Sequence, residues 1–81
     1  MKKNEAIKGK ILKKLGKNVS HFRDKLNITQ EKLAEKIDAE RSYIAAIEGG
    51  SKSPSVYCLY QLAKALNIPL KELLDINIEK Q

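Results

Sequence analysis

The chain has 81 residues, 16 basic and 10 acidic, with a formal charge of +6 and 42% apolar residues. That length leaves room for one small core, which excludes a multi-domain enzyme, and the apolar share is too high for a disordered polar tail. No apolar run exceeds five residues, the length of Tyr43 to Ile47, against the ~18 a membrane-spanning helix needs. Neither a transmembrane segment nor a secretory leader is expected, and the protein is expected in the cytoplasm. A single cysteine, Cys58, and a single histidine, His21, permit no internal disulfide and no zinc-ligand cluster, so no metal and no cofactor is expected.

Nine of the basic residues lie at or before Lys25, against only Glu5 and Asp24, whereas the remainder of the chain is close to neutral. A basic end on a small domain favours a polyanion, either nucleic acid or an anionic membrane surface, and charge alone does not choose between them.

Leu12, Leu15, Val19, Phe22 and Leu26 recur at alternating spacings of three and four, which predicts a first helix over 11–26 with one inward stripe, ended at Asn27. Gly9 and Gly16 weaken helix formation, so the basic segment 1–10 is expected to fray, the folded domain to run from 11 to 75, and 76–81 to form a tail. Thr29 is placed to cap a second helix over 30–37, with Glu31 at its positive end and Leu33, Ala34 and Ile37 inward. Asp38-Ala39-Glu40 is long enough only for a tight turn. A third helix over 41–48 points Ile44 and Ile47 inward and stops at Gly49-Gly50.

The following Ser51-Lys52-Ser53-Pro54-Ser55 stretch is a loop in which Ser53 or Ser55 caps a fourth helix, carrying Val56, Leu59, Leu62, Ala63 and Leu66. Asn67-Ile68-Pro69 ends it, and Leu70, Leu73 and Leu74 make a short fifth helix. No strand pattern competes, and the fold class is all-α. On helix three, winding at about 100° per residue puts Ser42, Ala45, Ala46 and Gly49 opposite the two isoleucines. Small side chains there suit close approach to base edges in a DNA groove, although alanine-rich faces also simply make good helices.

Two short helices joined by a three-residue turn describe a helix-turn-helix. The run Thr29-Gln30-Glu31-Lys32-Leu33-Ala34-Glu35-Lys36-Ile37, with Arg41-Ser42-Tyr43-Ile44, Ile47-Glu48-Gly49-Gly50, Pro54-Ser55 and Leu62-Ala63-Lys64-Ala65-Leu66, resembles the phage-repressor-like transcription regulators of the Cro, lambda-repressor and Xre type. The resemblance covers about residues 11–75. The chain length and Arg41-Ser42-Tyr43-Ile44 are also similar to the small controller proteins of restriction-modification systems. The resemblance implies a compact five-helix lambda-repressor-like domain with its helix-turn-helix at about 29–48. The pattern departs from the family at Asp38, where relatives place Gly or Asn because the turn needs a left-handed backbone, and at Glu40, which replaces a Ser, Thr or Asp cap.

With that resemblance, Arg41 is the leading candidate for reading sequence, its guanidinium fork matching guanine O6 and N7, a contact worth roughly 1–3 kcal/mol of discrimination. The plainer alternative is a surface arginine paired to Glu40 or Glu48. Ser42 is assigned to a base edge or a phosphate, Tyr43 to a phosphate or thymine methyl unless it is a half-buried ring, and Ala46 to the small groove-facing surface. Gln30, at the amino end of helix two, is assigned to a phosphate, as are Lys52, Ser53 and Ser55 in the loop after helix three. Arg23 and Glu48 flank facing apolar stripes, and the resemblance implies that they form a buried ion pair with a structural role.

No enzyme is expected. Ser20, His21 and Asp24 diverge on one helix and lack an oxyanion loop, Gly9-Lys10 lacks the rest of a phosphate loop, and Cys58 flanks core leucines as a buried thiol. Tyr57, Tyr60, Leu70, Leu74, Ile76 and Ile78 leave more apolar surface than a small monomer needs, which predicts a homodimer through helices four and five. Two recognition helices would then enter successive major grooves, roughly 34 Å apart, on an inverted-repeat operator in double-stranded DNA, blocking or recruiting RNA polymerase. Two competing readings are a protein-interaction module, such as an antitoxin-like subunit, and an anionic-membrane binder acting through Lys2 to Lys17 with Ile7 and Ile11. The basic segment is otherwise read as a solvated helix or arm that adds nonspecific attraction to DNA.

Overall fold

Helix α1, Lys3–Lys25, is the spine of the structure, a computed structural model that describes residues 3–77. Four further helices follow, α2 (Gln30–Lys36), α3 (Arg41–Glu48), α4 (Val56–Leu66) and α5 (Leu70–Leu73), and no strand occurs among the described residues. The inward faces meet in one core built chiefly from Leu15, Val19, Leu33, Ile44, Ile47, Leu62, Leu66 and Leu73. No described helix is long and apolar enough to cross a membrane.

Two expectations for α1 are corrected. The helix begins at Lys3, because Gly9 is one weak position in a run of otherwise good helix formers and does not break it. Leu26, placed by periodicity on the inward stripe, is 41% exposed, because α1 ends at Lys25 and the chain turns away before another inward position is reached. The molecule is 36 Å long, about what 23 helical residues span at ~1.5 Å each, so α1 sets the long dimension.

Each of the first four helices ends in the same local device. Asn27, Asp38, Gly50 and Asn67 have φ of 61°, 60°, 82° and 64°. The next residue, Ile28, Ala39, Ser51 or Ile68, then donates its N–H to the carbonyl five positions back, on Arg23, Ala34, Ala46 or Ala63. This is a Schellman turn, and in three of the four the donor is an apolar residue that packs on the core. The left-handed backbone expected at Asp38 is therefore present. Asp38→Gly is expected to raise stability by about 0.5–1 kcal/mol, removing both the Cβ strain and a negative charge at the carboxyl end of α2. Thermal melting should show a midpoint higher by roughly 3–6 °C.

The amino ends are capped as the residue types suggest in two cases. The Thr29 hydroxyl accepts from the Lys32 N–H at 3.0 Å, and Ser55, rather than Ser53, accepts from the Cys58 N–H at 3.0 Å. Glu40 occupies the cap position of α3 but makes no side-chain cap bond.

Candidate nucleic-acid interface

α3 lies against α1 and α2 along its buried side, where Ile44 and Ile47 are almost wholly enclosed. Gly16 permits the contact with α1. A Cβ built on it would lie 2.5 Å from the Ile47 carbonyl oxygen and closer still to that of Glu48. The sequence signals this role only indirectly, through a glycine on the inward side of an amphipathic helix, three residues before Val19.

A polar relay joins the three elements. Arg23 Nε donates to Glu48 Oε2 at 2.7 Å, Arg23 Nη2 to Glu48 Oε1 at 3.1 Å, and Arg23 Nη1 to the Ile28 carbonyl at 2.7 Å. The two side chains are 14% and 7% exposed, so the ion pair is largely shielded from water. The hydrogen bond it donates to Glu48 holds the Arg23 guanidinium above its usual range, in spite of the burial that opposes charge. Gln30 Nε2 donates to Glu48 Oε1 at 3.0 Å, and Gln30 Oε1 accepts from Arg41 Nη1 at 3.0 Å. Among the described residues Arg41 thus pairs with neither Glu40 nor Glu48 directly, but with the amide between them and the ion pair.

This linking role of Gln30 was not legible from the sequence, which offers only an amide at a helix start. A carboxylate can only accept, so Glu48 compels Gln30 to present its NH2 inward, which leaves its carbonyl oxygen outward for Arg41. The orientation of an exposed arginine is in this way set by a buried charge.

The remaining sequence-predicted residues fall into three groups. Arg41 and Ser42 stand exposed at the amino end of α3, with Ala45 and Ala46 half-buried behind them. Lys52, Ser53 and Ser55 are exposed in the loop that follows, the last with its hydroxyl oxygen already serving as cap. Tyr43 is half-buried and packed on the core, and burial, then the neighbouring Cys58 thiol, pushes its phenol above the ordinary range.

The residues assigned to a dimer surface are divided. Tyr57, Tyr60 and Leu74 are 70%, 51% and 41% exposed, and Val56, grouped in the sequence with the apolar residues of the fourth helix, is 74% exposed. Leu70 and Ile76 are instead partly buried against the core. Ile78 lies outside the described residues. The Asn18 side chain donates to the Leu73 and Asp75 carbonyls at 3.0 and 3.2 Å, which ties the end of α5 to α1.

Comparison with known proteins agrees with this geometry. A family model described as a helix-turn-helix domain matches residues 16–77. The control protein C.BamHI of Bacillus amyloliquefaciens is 41% identical over 61 residues, covering 74% of this chain and 75% of that protein. The crystal structure of the restriction-modification controller protein C.AhdI from Aeromonas hydrophila superposes with a TM-score of 0.75 at 34% identity, covering 76% of this chain and 90% of that one. The controller protein C.Esp1396I, solved as a tetramer in complex with its natural 35 base-pair operator, gives a TM-score of 0.68 at 29% identity, over 80% of this chain and 96% of that one.

Proposed function

Because this chain belongs to the helix-turn-helix family of DNA-binding transcription regulators, to which restriction-modification controller proteins are similar throughout the domain, we propose that it binds an inverted-repeat operator as a homodimer, with α3 in the major groove. The observation that carries this reading is the exposed Arg41 and Ser42 at the head of a short helix that is otherwise fixed on α1 and α2. Arg41 reads a guanine through O6 and N7, and Ser42 bonds to a base edge or phosphate. Ala46 lets the helix sit close, and Tyr43 braces α3 while leaving the exposed part of its ring to a phosphate or thymine methyl. Lys52, Ser53 and Ser55 hold phosphates and fix register without reading sequence, and Gln30, whose side-chain NH2 is turned to Glu48, contributes to this only through its backbone N–H at the start of α2.

The exposed Tyr57, Tyr60 and Leu74 support pairing of two copies through the α4 and α5 surface, since contact with a second copy would remove their apolar area from water. Two such copies place their recognition helices about one DNA turn apart, roughly 34 Å, which is why the operator is expected to be a palindrome. The bound dimer then occludes RNA polymerase from a promoter or contacts it there.

Selection of bound fragments from random duplex DNA is the direct test, since it reports binding, symmetry and half-site spacing together. On the recovered site, Arg41→Ala should remove preference for one G·C pair, about 1–3 kcal/mol of discrimination. Lys52→Ala should weaken all sequences alike and lower the slope of log affinity against log salt by about 0.9. Unchanged preference in Arg41→Ala, measured by competition titration, would refute the assignment of Arg41, and an unenriched pool would refute the reading as a whole.

A further inference from the structure

The amino-terminal half of α1 runs well past the crossing with α3 at Gly16, reaching Lys3, 13 residues earlier and so about 20 Å along the axis. The matched family segment begins only at residue 16. Lys10, Lys13, Lys14 and Lys17 occupy positions i, i+3, i+4 and i+7, which share one face of a helix, and all four are exposed. None pairs with a carboxylate among the described residues, whose ion pairs are Arg23 with Asp24, Arg23 with Glu48 and Lys32 with Glu35. Glu5 is about 140° around the helix from Lys10 and does not neutralise the ridge.

The ridge is fixed in relation to the recognition helix. A Cβ on Gly50 would lie 3.0 Å from Lys13 Cγ and 3.1 Å from Lys13 Cα, so α1 passes directly beside the loop that carries Lys52. The face therefore continues the basic surface of that loop outward from the carboxyl end of α3. From Lys10 to Lys17 it extends about 10 Å, the axial rise of roughly three base pairs, so it spans two or three phosphates of one strand.

Resting on the reading above, we propose that this lysine ridge grips the phosphate backbone of the duplex flanking each half-site, beyond the base pairs that α3 reads. An extended row of unpaired cations, rigidly aligned with a groove-binding helix, matches a regularly spaced row of anions. A second copy of the same ridge is excluded as occupant by like-charge repulsion. The contact carries no sequence information, so it lengthens the footprint without altering preference.

The experiment compares two duplexes of the highest-affinity selected sequence, one trimmed at the outermost specified base pair and one extended at both ends by about eight arbitrary base pairs, enough to carry the phosphates the ridge would span. The wild type should bind the extended duplex about tenfold tighter, and the triple variant Lys10→Gln, Lys14→Gln, Lys17→Gln should bind both lengths equally. Its salt slope on the extended duplex should fall by about 2 while its base preference stays unchanged. These exposed exchanges keep good helix formers, and an unaltered thermal melt verifies that the fold is intact. An equal loss on both lengths, or no loss, overturns the proposal, as does ridge-dependent co-sedimentation with vesicles of equal parts phosphatidylcholine and phosphatidylserine without length-dependent DNA binding. Failure of the underlying reading would show differently, as an unenriched selection or an Arg41→Ala protein with wild-type preference.

Discussion

Glu48→Ala is expected to lower folding stability by about 3–5 kcal/mol, because it leaves the Arg23 guanidinium in a largely shielded site with only the Ile28 carbonyl and the solvated Asp24 carboxylate, 3.5 Å away, as partners. Chains of this size have a total stability of only roughly 4–12 kcal/mol, so urea titration should find the variant marginally folded or unfolded. Glu48→Gln separates the fold from the reading function. The shape is retained, but the side chain now presents an NH2 either in place of Oε1, towards both Arg23 Nη2 and Gln30 Nε2, or in place of Oε2, towards Arg23 Nε, and all three are donors. With the NH2 in place of Oε1, Gln30 relieves its own share of the conflict by turning its amide round, which withdraws the oxygen that Arg41 holds. The Glu48→Gln protein, if folded by circular dichroism, should lose part of its base discrimination although the altered residue is nearly buried. Full discrimination in a folded Glu48→Gln protein would show that the relay has no influence on Arg41.

Gly16→Ala is the second large effect. The added methyl would have to occupy space already held by the Ile47 and Glu48 carbonyl oxygens, and these belong to backbone that cannot swing aside as a side chain would. Either α1 and α3 separate or the last turn of α3 distorts, at a cost of about 2–3 kcal/mol from overpacking. The gain in helix propensity, ~1 kcal/mol, offsets only part of this. Thermal melting should record a drop of roughly 5–15 °C. Gly9→Ala is the matched control, since nothing lies within 4 Å of a Cβ there, and the same measurement should give a rise instead. If both variants melt higher than the wild type, the close approach of the two helices is not a constraint.

Those glycines illustrate what could be read from residues alone. Both appear in the sequence as weak points of one helix, yet one faces solvent and the other a neighbouring backbone, a distinction that depends on which element crosses where. Positions that act through their own segment were legible: Thr29 as a cap, Ser53 or Ser55 as alternative caps of which Ser55 is the one used, Asn27, Gly50 and Asn67 as stops, and Ile44 and Ile47 as the inner side of α3, whereas the left-handed turn at Asp38 was implied by the family pattern. Arg23 and Glu48 were paired through the family pattern, and they do meet. Gln30 was not linked to Arg41, because an eleven-residue separation across a turn gives no periodic signal. Leu26 misled because its spacing fits the stripe while the helix has already ended. Val56 misled because it and Tyr57 point to solvent from the first turn of α4, whose buried side is formed by Cys58 and Leu59.

The four left-handed stops have a further consequence for how such a domain can diversify. Since the carboxyl end of each of the first four helices is written into the residues at that end, the outward positions before it are freed from specifying where the helix finishes. On the proposed reading, exchanging Arg41, Ser42 or Ala46 would change which bases are addressed without sliding Ile44 and Ile47 out of their sockets. New operators become reachable by short mutational steps, each taken on an unchanged frame.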